Sequence, residues 1–116
     1  MYNNSTKPKR SKGVDFTMGP VYFNQFNHFA KHGVNALRIF QFIITKEGLE
    51  RKNPKVQEAH KFIKLDNKKL YEWFGVGRSK KWKILKKLSD SKLIELRKNG
   101  PGKAPDVKII VERHIN

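Results

Sequence analysis

The chain has 116 residues, of which 37% are hydrophobic, and it includes eight Phe, three Tyr and two Trp residues. This apolar content is enough for one modest core and argues against a wholly disordered chain. Lys and Arg number 26 against 10 Asp and Glu, so the net charge is +16, well above the magnitude of about 2 to 8 typical of a small soluble domain. The excess indicates a polyanionic partner. A solvated surface without a partner is the alternative.

The chain shows no sign of disulfides, membrane spans or a secretory signal. Cysteine is absent, which excludes disulfides and thiolate metal sites. No apolar run reaches the roughly 18 residues of a spanning helix, and the first residues lack the apolar region of a signal peptide. We therefore expect a soluble cytoplasmic protein. Residues 1–13 carry four basic and no acidic residues, which predicts a disordered basic arm, and residues 14–116 are expected to form a single domain.

The first helix is expected over residues 20–32. Phe23, Phe26 and Phe29 recur there at helical spacing, and Pro20 stands at a position that suits a first helical turn.

Residues 34–45 predict a second helix, which is apolar nearly all round and therefore buried on most sides. Part of its apolar surface could face a second subunit. Residues 46–59 are polar and contain Gly48 and Pro54, which predicts a loop that could include a helical turn. A short strand is expected over residues 60–65.

A third helix is expected over the sequence NKKLYEWF, with Asp66 or Asn67 as its N-cap. Gly75 is expected to end this helix. One face of the helix is apolar and consists of Leu70, Trp73 and Phe74.

The fourth helix, over residues 78–91, has two opposed faces at 100° per residue. Trp82 falls on the boundary between them; we interpret it as a residue at the core's edge, with stacking on a base as the alternative. The apolar face consists of Ile84, Leu85 and Leu88, and the opposite face of Ser79, Lys80, Lys83, Lys86 and Lys87.

Two strand candidates follow, at residues 93–98 and 107–111, around the turn-rich segment NGPGKAP. This pattern predicts a β-hairpin. The fold class expected from the whole chain is α+β, mostly α-helical with a small β-hairpin.

Over residues 64–111 the order of helix, GVG turn, helix and hairpin resembles the winged helix-turn-helix family of DNA-binding proteins. Val76 matches the apolar residue that plugs the turn in that family, and Gly75 matches its usual glycine at the end of the first helix. The two helices before this segment fit the same family.

Two positions depart from the family's pattern. Gly77 stands where the family often has a Ser that caps the second helix, and Lys92 stands where a small residue is common. Ser79 could take over the capping role or contact phosphate instead.

The resemblance implies that the chain binds double-stranded DNA, with helix 78–91 in the major groove and the wing, residues 97–103, on the flanking backbone. It also implies a homodimer through helices 20–45, association with the nucleoid, and the role of a small bacterial, phage or plasmid transcriptional regulator. The expected DNA contacts are Arg78, Ser79, Lys80, Lys83, Lys86, Lys87, Arg97, Lys98 and Lys103.

Elementary physics points the same way. A helix can enter the major groove when one face is packed and the other is free and cationic, and a helix N-terminus favours phosphate. Residues 64–103 contain 13 basic and 4 acidic residues, a net of +9. Because lysines outnumber arginines on the helix, phosphate anchoring should dominate, with Lys80 or Lys83 as the candidate for a base contact.

Three other functions stay open: a plasmid replication or partition protein, an RNA-binding or ribosome-associated protein, and a module that binds protein. No enzymatic activity, cofactor or metal is expected. His28 and His32 stand four residues apart, but no carboxylate or Cys lies near them in sequence to complete a site. No phosphate-binding GxxxxGK[ST] loop is present either.

Overall fold

Four helices and three short strands form the part of the chain that the structure, a computed structural model, describes: residues 17, 19–51 and 58–113. The arm expected at residues 1–13 lies outside these ranges, as do residues 52–57 of the expected loop. The elements are α1 (Phe23–Ala30), α2 (Val34–Glu50), β1 (Ile63–Lys64), α3 (Asn67–Phe74), α4 (Arg78–Asp90), β2 (Ile94–Arg97) and β3 (Asp106–Ile109).

Helix α2 lies at the centre of the fold and contacts α1, α3, α4 and β1. Its nearly continuous apolar sequence suits this position, because three neighbouring helices cover different sides of it. Phe40 stacks on Phe29 of α1 with ring centroids 4.6 Å apart. On another side, the ring of Phe42 lies 5.2 Å from that of Trp73 in α3.

The largest differences from the expected helix boundaries are at the end of α2 and the start of α1. Helix α2 continues to Glu50, so the expectation of a loop from residue 46 is wrong for its first five residues. Glu47 is buried there, and Lys46 pairs with Glu50 one turn later at 3.7 Å. Helix α1 begins at Phe23, so Pro20 precedes the helix and does not stand in its first turn as expected.

The three strands form one antiparallel sheet in the order β1-β3-β2, so the predicted hairpin and the α+β class are confirmed. The expected short strand also forms, and it pairs with β3 through Ile63 and Val107. Leu96 faces the core opposite Val107, whereas Arg97 lies opposite Asp106 on the outer face.

Helices α3 and α4 are joined by a three-residue turn, residues 75–77. Asp66 is the N-cap of α3, as predicted, and its carboxylate accepts from the amide of Lys68 at 2.8 Å. Gly75 ends α3 in the left-handed region, with φ of +72°, where a side chain would be strained. Val76 is buried at 1% exposure, so the prediction that it fills the turn is confirmed.

Helix α4 begins at Arg78 with Gly77 as its N-cap, and no side chain caps it. The alternative in which Ser79 caps the helix is therefore wrong, because Ser79 lies inside the first turn. Among the helices in the described ranges, none is long and apolar enough to cross a membrane.

Candidate functional site

Helix α4 has the two faces that its sequence predicts. Leu85 and Leu88 are fully buried, and Ile84 and Trp82 pack partly buried against the core. The opposite face is open to solvent, and none of its side chains forms a salt bridge with a carboxylate in the described parts of the chain. The exposed members of that face are Ser79, Lys80, Lys83, Lys86 and Lys87, with the carboxylate of Asp90 among them in the last turn, and Arg78 is exposed at the start of the helix. We call the six basic and hydroxyl residues, 78–80, 83, 86 and 87, the α4 face.

The first turn of α4 borders an open cleft of about 600 Å³. One wall consists of side chains from α3 and α4, and the other is the hairpin loop, residues 98–103. No carboxylate lines the cleft. Its four cations are Arg78, Lys81, Lys98 and Lys103.

The sequence-based prediction missed Lys81, the most unusual residue of the cleft. It is only 1% exposed, and its ammonium group donates hydrogen bonds to the Leu65 carbonyl at 3.3 Å and to Asn67 Oδ1. Burial, and secondarily the charge of Arg78, lower the pKa of Lys81, while Asp66 opposes the shift. A signal was present, because Lys81 precedes Leu85 and Leu88 by four and seven residues on the same helical face.

The lowered pKa makes a prediction about stability. The folded protein holds the Lys81 proton less tightly than the unfolded chain, whose lysine has a pKa of 10.5. The cost of burying the charge is therefore complete below the folded pKa and is relieved as the pH rises through it toward 10.5. We therefore expect the free energy of unfolding of the wild type, relative to that of Lys81→Met, to rise with pH across this window. Urea unfolding of both proteins at a series of pH values measures this difference.

Lys80→Met, which removes an exposed lysine from the same turn, is the control for losing one positive charge. If the difference between wild type and Lys81→Met stayed constant up to pH 10.5, the ammonium group would not be desolvated as described.

Local interactions fix the shape of the hairpin loop. Gly100 and Gly102 have φ of +108° and +73°, the region that favours glycine. The Asn99 side chain donates to the Ala104 carbonyl at 2.9 Å, and the Lys103 amide donates to the Gly100 carbonyl at 3.2 Å. The loop thus holds two of the predicted contact residues, Lys98 and Lys103, at the cleft.

Arg97 is placed differently from the other predicted contact residues. It lies on the outer face of the sheet, where its guanidinium donates to Asp106 Oδ2 at 2.8 Å and stacks on Phe62, 4.1 Å from the ring centroid. The hydrogen bond from Arg97 is the main cause that lowers the pKa of Asp106. These contacts give Arg97 a role in holding the strands together, and its contact with DNA stays a prediction.

A second polar cluster lies between α1, α2 and the residues around the sheet. His60 Nδ1 lies 2.9 Å from the Glu47 carboxylate, and Gln25 Nε2 lies 2.9 Å from His60 Nε2 and donates to the Val111 carbonyl at 2.6 Å. This cluster ties the first helix to the end of the sheet. In the described ranges, no three His, Cys, Asp or Glu residues are placed so that they could hold a metal ion, and His28 and His32 therefore belong to no such group.

Comparison of the chain with protein-family models, with curated proteins and with solved structures finds no match. The geometry of the α4 face and the cleft is therefore the basis of the functional proposal.

Proposed function

We propose that this protein binds double-stranded DNA as a winged helix-turn-helix domain, with the α4 face in the major groove and the hairpin loop on the flanking backbone. The observation that carries the proposal is the α4 face itself, which is exposed, cationic and supported from behind by buried Leu85 and Leu88. The order β1, α3, turn, α4, hairpin agrees with that fold.

The shape of the α4 face fits a groove better than it fits a flat partner. The major groove of B-form DNA is about 12 Å wide and admits one α-helix. Lys80, Lys83 and Lys87 recur along one side of α4, and each can reach a phosphate on the groove's edge. Lysine is a point charge on a flexible stem, so these contacts position the helix, and base readout falls to few side chains.

Duplex DNA is favoured over RNA by two observations. The major groove of A-form RNA is too deep and narrow for side chains to read, so α4 would have no groove to enter. Proteins that bind single-stranded RNA often expose aromatic rings on a sheet for base stacking. Here the outer-face ring of Phe62 lies beneath the guanidinium of Arg97, so the sheet offers no free aromatic platform in the described residues.

The proposed role is transcriptional regulation through occupancy of a site. A plasmid replication or partition protein would use the same DNA contacts and is the alternative. Selection of bound sequences from a random duplex library separates the two, because an operator upstream of one gene differs from repeated sites near an origin or centromere.

The test of DNA binding is the double variant Lys80→Ala/Lys83→Ala. Because both side chains are exposed on the α4 face, the fold should persist while duplex affinity falls roughly 10- to 100-fold. Fluorescence anisotropy with a labelled duplex, with RNA of equal length as competitor, measures the change. The control Lys31→Ala/Lys61→Ala removes the same charge from exposed sites outside α4. An equal loss in both variants, or stronger competition by RNA than by DNA, would contradict the proposal.

A homodimer through α1 and the start of α2 is the second part of the proposal. Phe23 is 88% and Phe26 42% exposed one turn apart on α1, and Val34 is 63% exposed at the start of α2. Sedimentation equilibrium should give a dimer for the wild type and a monomer for Phe23→Glu/Phe26→Glu. Leu49→Glu, at the other end of α2 and 43% exposed, should leave the dimer intact. A wild-type monomer at tens of micromolar would refute this part.

A further inference from the structure

The cleft beside α4 differs from the α4 face in one respect: one of its cations is buried. Taking a charged amine out of water costs free energy unless partners replace the water. Two uncharged acceptors hydrogen-bond the Lys81 ammonium group, the Leu65 carbonyl and Asn67 Oδ1, and its Nζ also lies 5.4 Å from the centroid of the Trp82 ring. An ammonium group has three N–H donors, so one donor is not used by these two bonds.

The backbone at this end of α4 adds donors to the same cleft. The amides at the start of a helix have no partner within the helix, and the N-cap of α4, Gly77, provides no side chain to bind them. In a helix of 13 residues, the macrodipole places partial positive charge at this end. Arg78, the first residue of α4, also lines the cleft.

The remaining walls suit a nucleotide rather than a bare ion. The cleft volume of about 600 Å³ lies within the range of roughly 300 to 1,000 Å³ for small-molecule sites. Trp82 lines the cleft, as do Lys98 and Lys103 from the hairpin loop. An indole ring packs well on a sugar or a base, and the two loop lysines can reach further phosphate oxygens.

We propose that this cleft binds the phosphate group of a nucleotide, held by Lys81 and Arg78, with the attached sugar against Trp82. In the DNA complex, on which this part of the inference rests, the occupant is a backbone phosphate of the strand nearest the hairpin. Because Lys81 also bonds Asn67 of α3 and faces the loop across the cleft, one phosphate connects both helices to the hairpin. The cleft would thereby fix the angle at which α4 enters the groove.

Fluorescence of Trp82 provides a direct test. The chain has two tryptophans, so Trp73→Phe leaves Trp82 as the single fluorophore. Thymidine monophosphate, inorganic phosphate and a short duplex are titrated separately at constant ionic strength, which chloride maintains. We expect a saturable change with each, tighter for thymidine monophosphate than for phosphate. Lys81→Met in the same background should weaken both small ligands at least tenfold, and Lys92→Met, at an exposed site after α4, should not.

A second readout uses the wild-type protein, in which both tryptophans are retained. In ¹H–¹⁵N spectra of the wild type, the amides of Gly100 and Gly102 should shift with thymidine monophosphate, because the loop forms one wall of the cleft. This measurement decides the matter if Trp73→Phe fails to fold.

The outcomes separate this inference from the proposed function. Duplex binding with no change at Trp82, together with wild-type affinity in Lys81→Met, overturns the cleft site and leaves DNA binding standing. A saturable response to thymidine monophosphate without any response to duplex supports the cleft site and refutes the backbone phosphate as its occupant. No response of Trp82 or the glycine amides to any of the three ligands overturns the inference.

Discussion

Duplex affinity is expected to fall about a thousandfold when the salt concentration rises from 50 to 200 mM, if about six phosphates are contacted. Each lysine or arginine that neutralises a phosphate releases counterions, so the logarithm of the binding constant falls linearly with the logarithm of salt. The six exposed residues of the α4 face include five cations, and Lys98 and Lys103 add two at the hairpin loop. Anisotropy titrations at four or more salt concentrations give the slope.

Removal of charges from α4 should change that slope by a predictable amount. Lys86→Ala/Lys87→Ala should reduce its magnitude by about 2, which corresponds to about one phosphate contact for each residue. Lys31→Ala/Lys61→Ala, which removes equal charge elsewhere, should leave the slope nearly unchanged. A wild-type affinity that stayed flat over this range would rule out an electrostatic interface on α4.

Replacement of Val76 by Asp should unfold the domain or destabilise it by at least about 3 kcal/mol. Val76 is 1% exposed within the turn between α3 and α4, so a carboxylate there would be buried without a partner. Domains of this size have a total stability of about 5 to 15 kcal/mol, so the loss is a large fraction of it. Thermal and urea unfolding followed by circular dichroism measure the effect.

Leu49→Asp is the matched control, because Leu49 is 43% exposed and lies outside the proposed dimer surface. We expect its free energy of unfolding to change by no more than about 0.5 kcal/mol. If the two variants unfolded at similar temperatures, Val76 would not be the residue that joins α3 to α4.

The elements from residue 60 onward were predictable because their signals are local. Asp66 at the start of α3 and Gly75 at its end mark that helix through capping and left-handed backbone geometry. The two faces of α4 follow from the helical period alone. The turn-rich segment between β2 and β3 fixes the hairpin, since only a few residue types adopt the required backbone angles.

Features that depend on distant contacts could not be predicted in this way. The last turn of α2 looks like a polar loop until Glu47 meets His60, thirteen residues later. The pairing of β1 with β3 joins residues more than forty positions apart. The cleft forms because the hairpin loop lies beside α4, and no local pattern specifies that placement. The burial of Lys81 is also unexpected from the sequence, because charged residues are seldom fully buried.

The position of β3 has a consequence for the order of folding. It is the last strand in the sequence but the central one in the sheet, so β1 has no strand partner until residues 106 and 107 have been synthesised. During translation, the helices can pack on α2 while β1 stays unpaired. Completion of the sheet therefore waits until residues 106–109 have left the ribosome, and a chain that stops before residue 106 would leave the edges of both β1 and β2 open to other molecules.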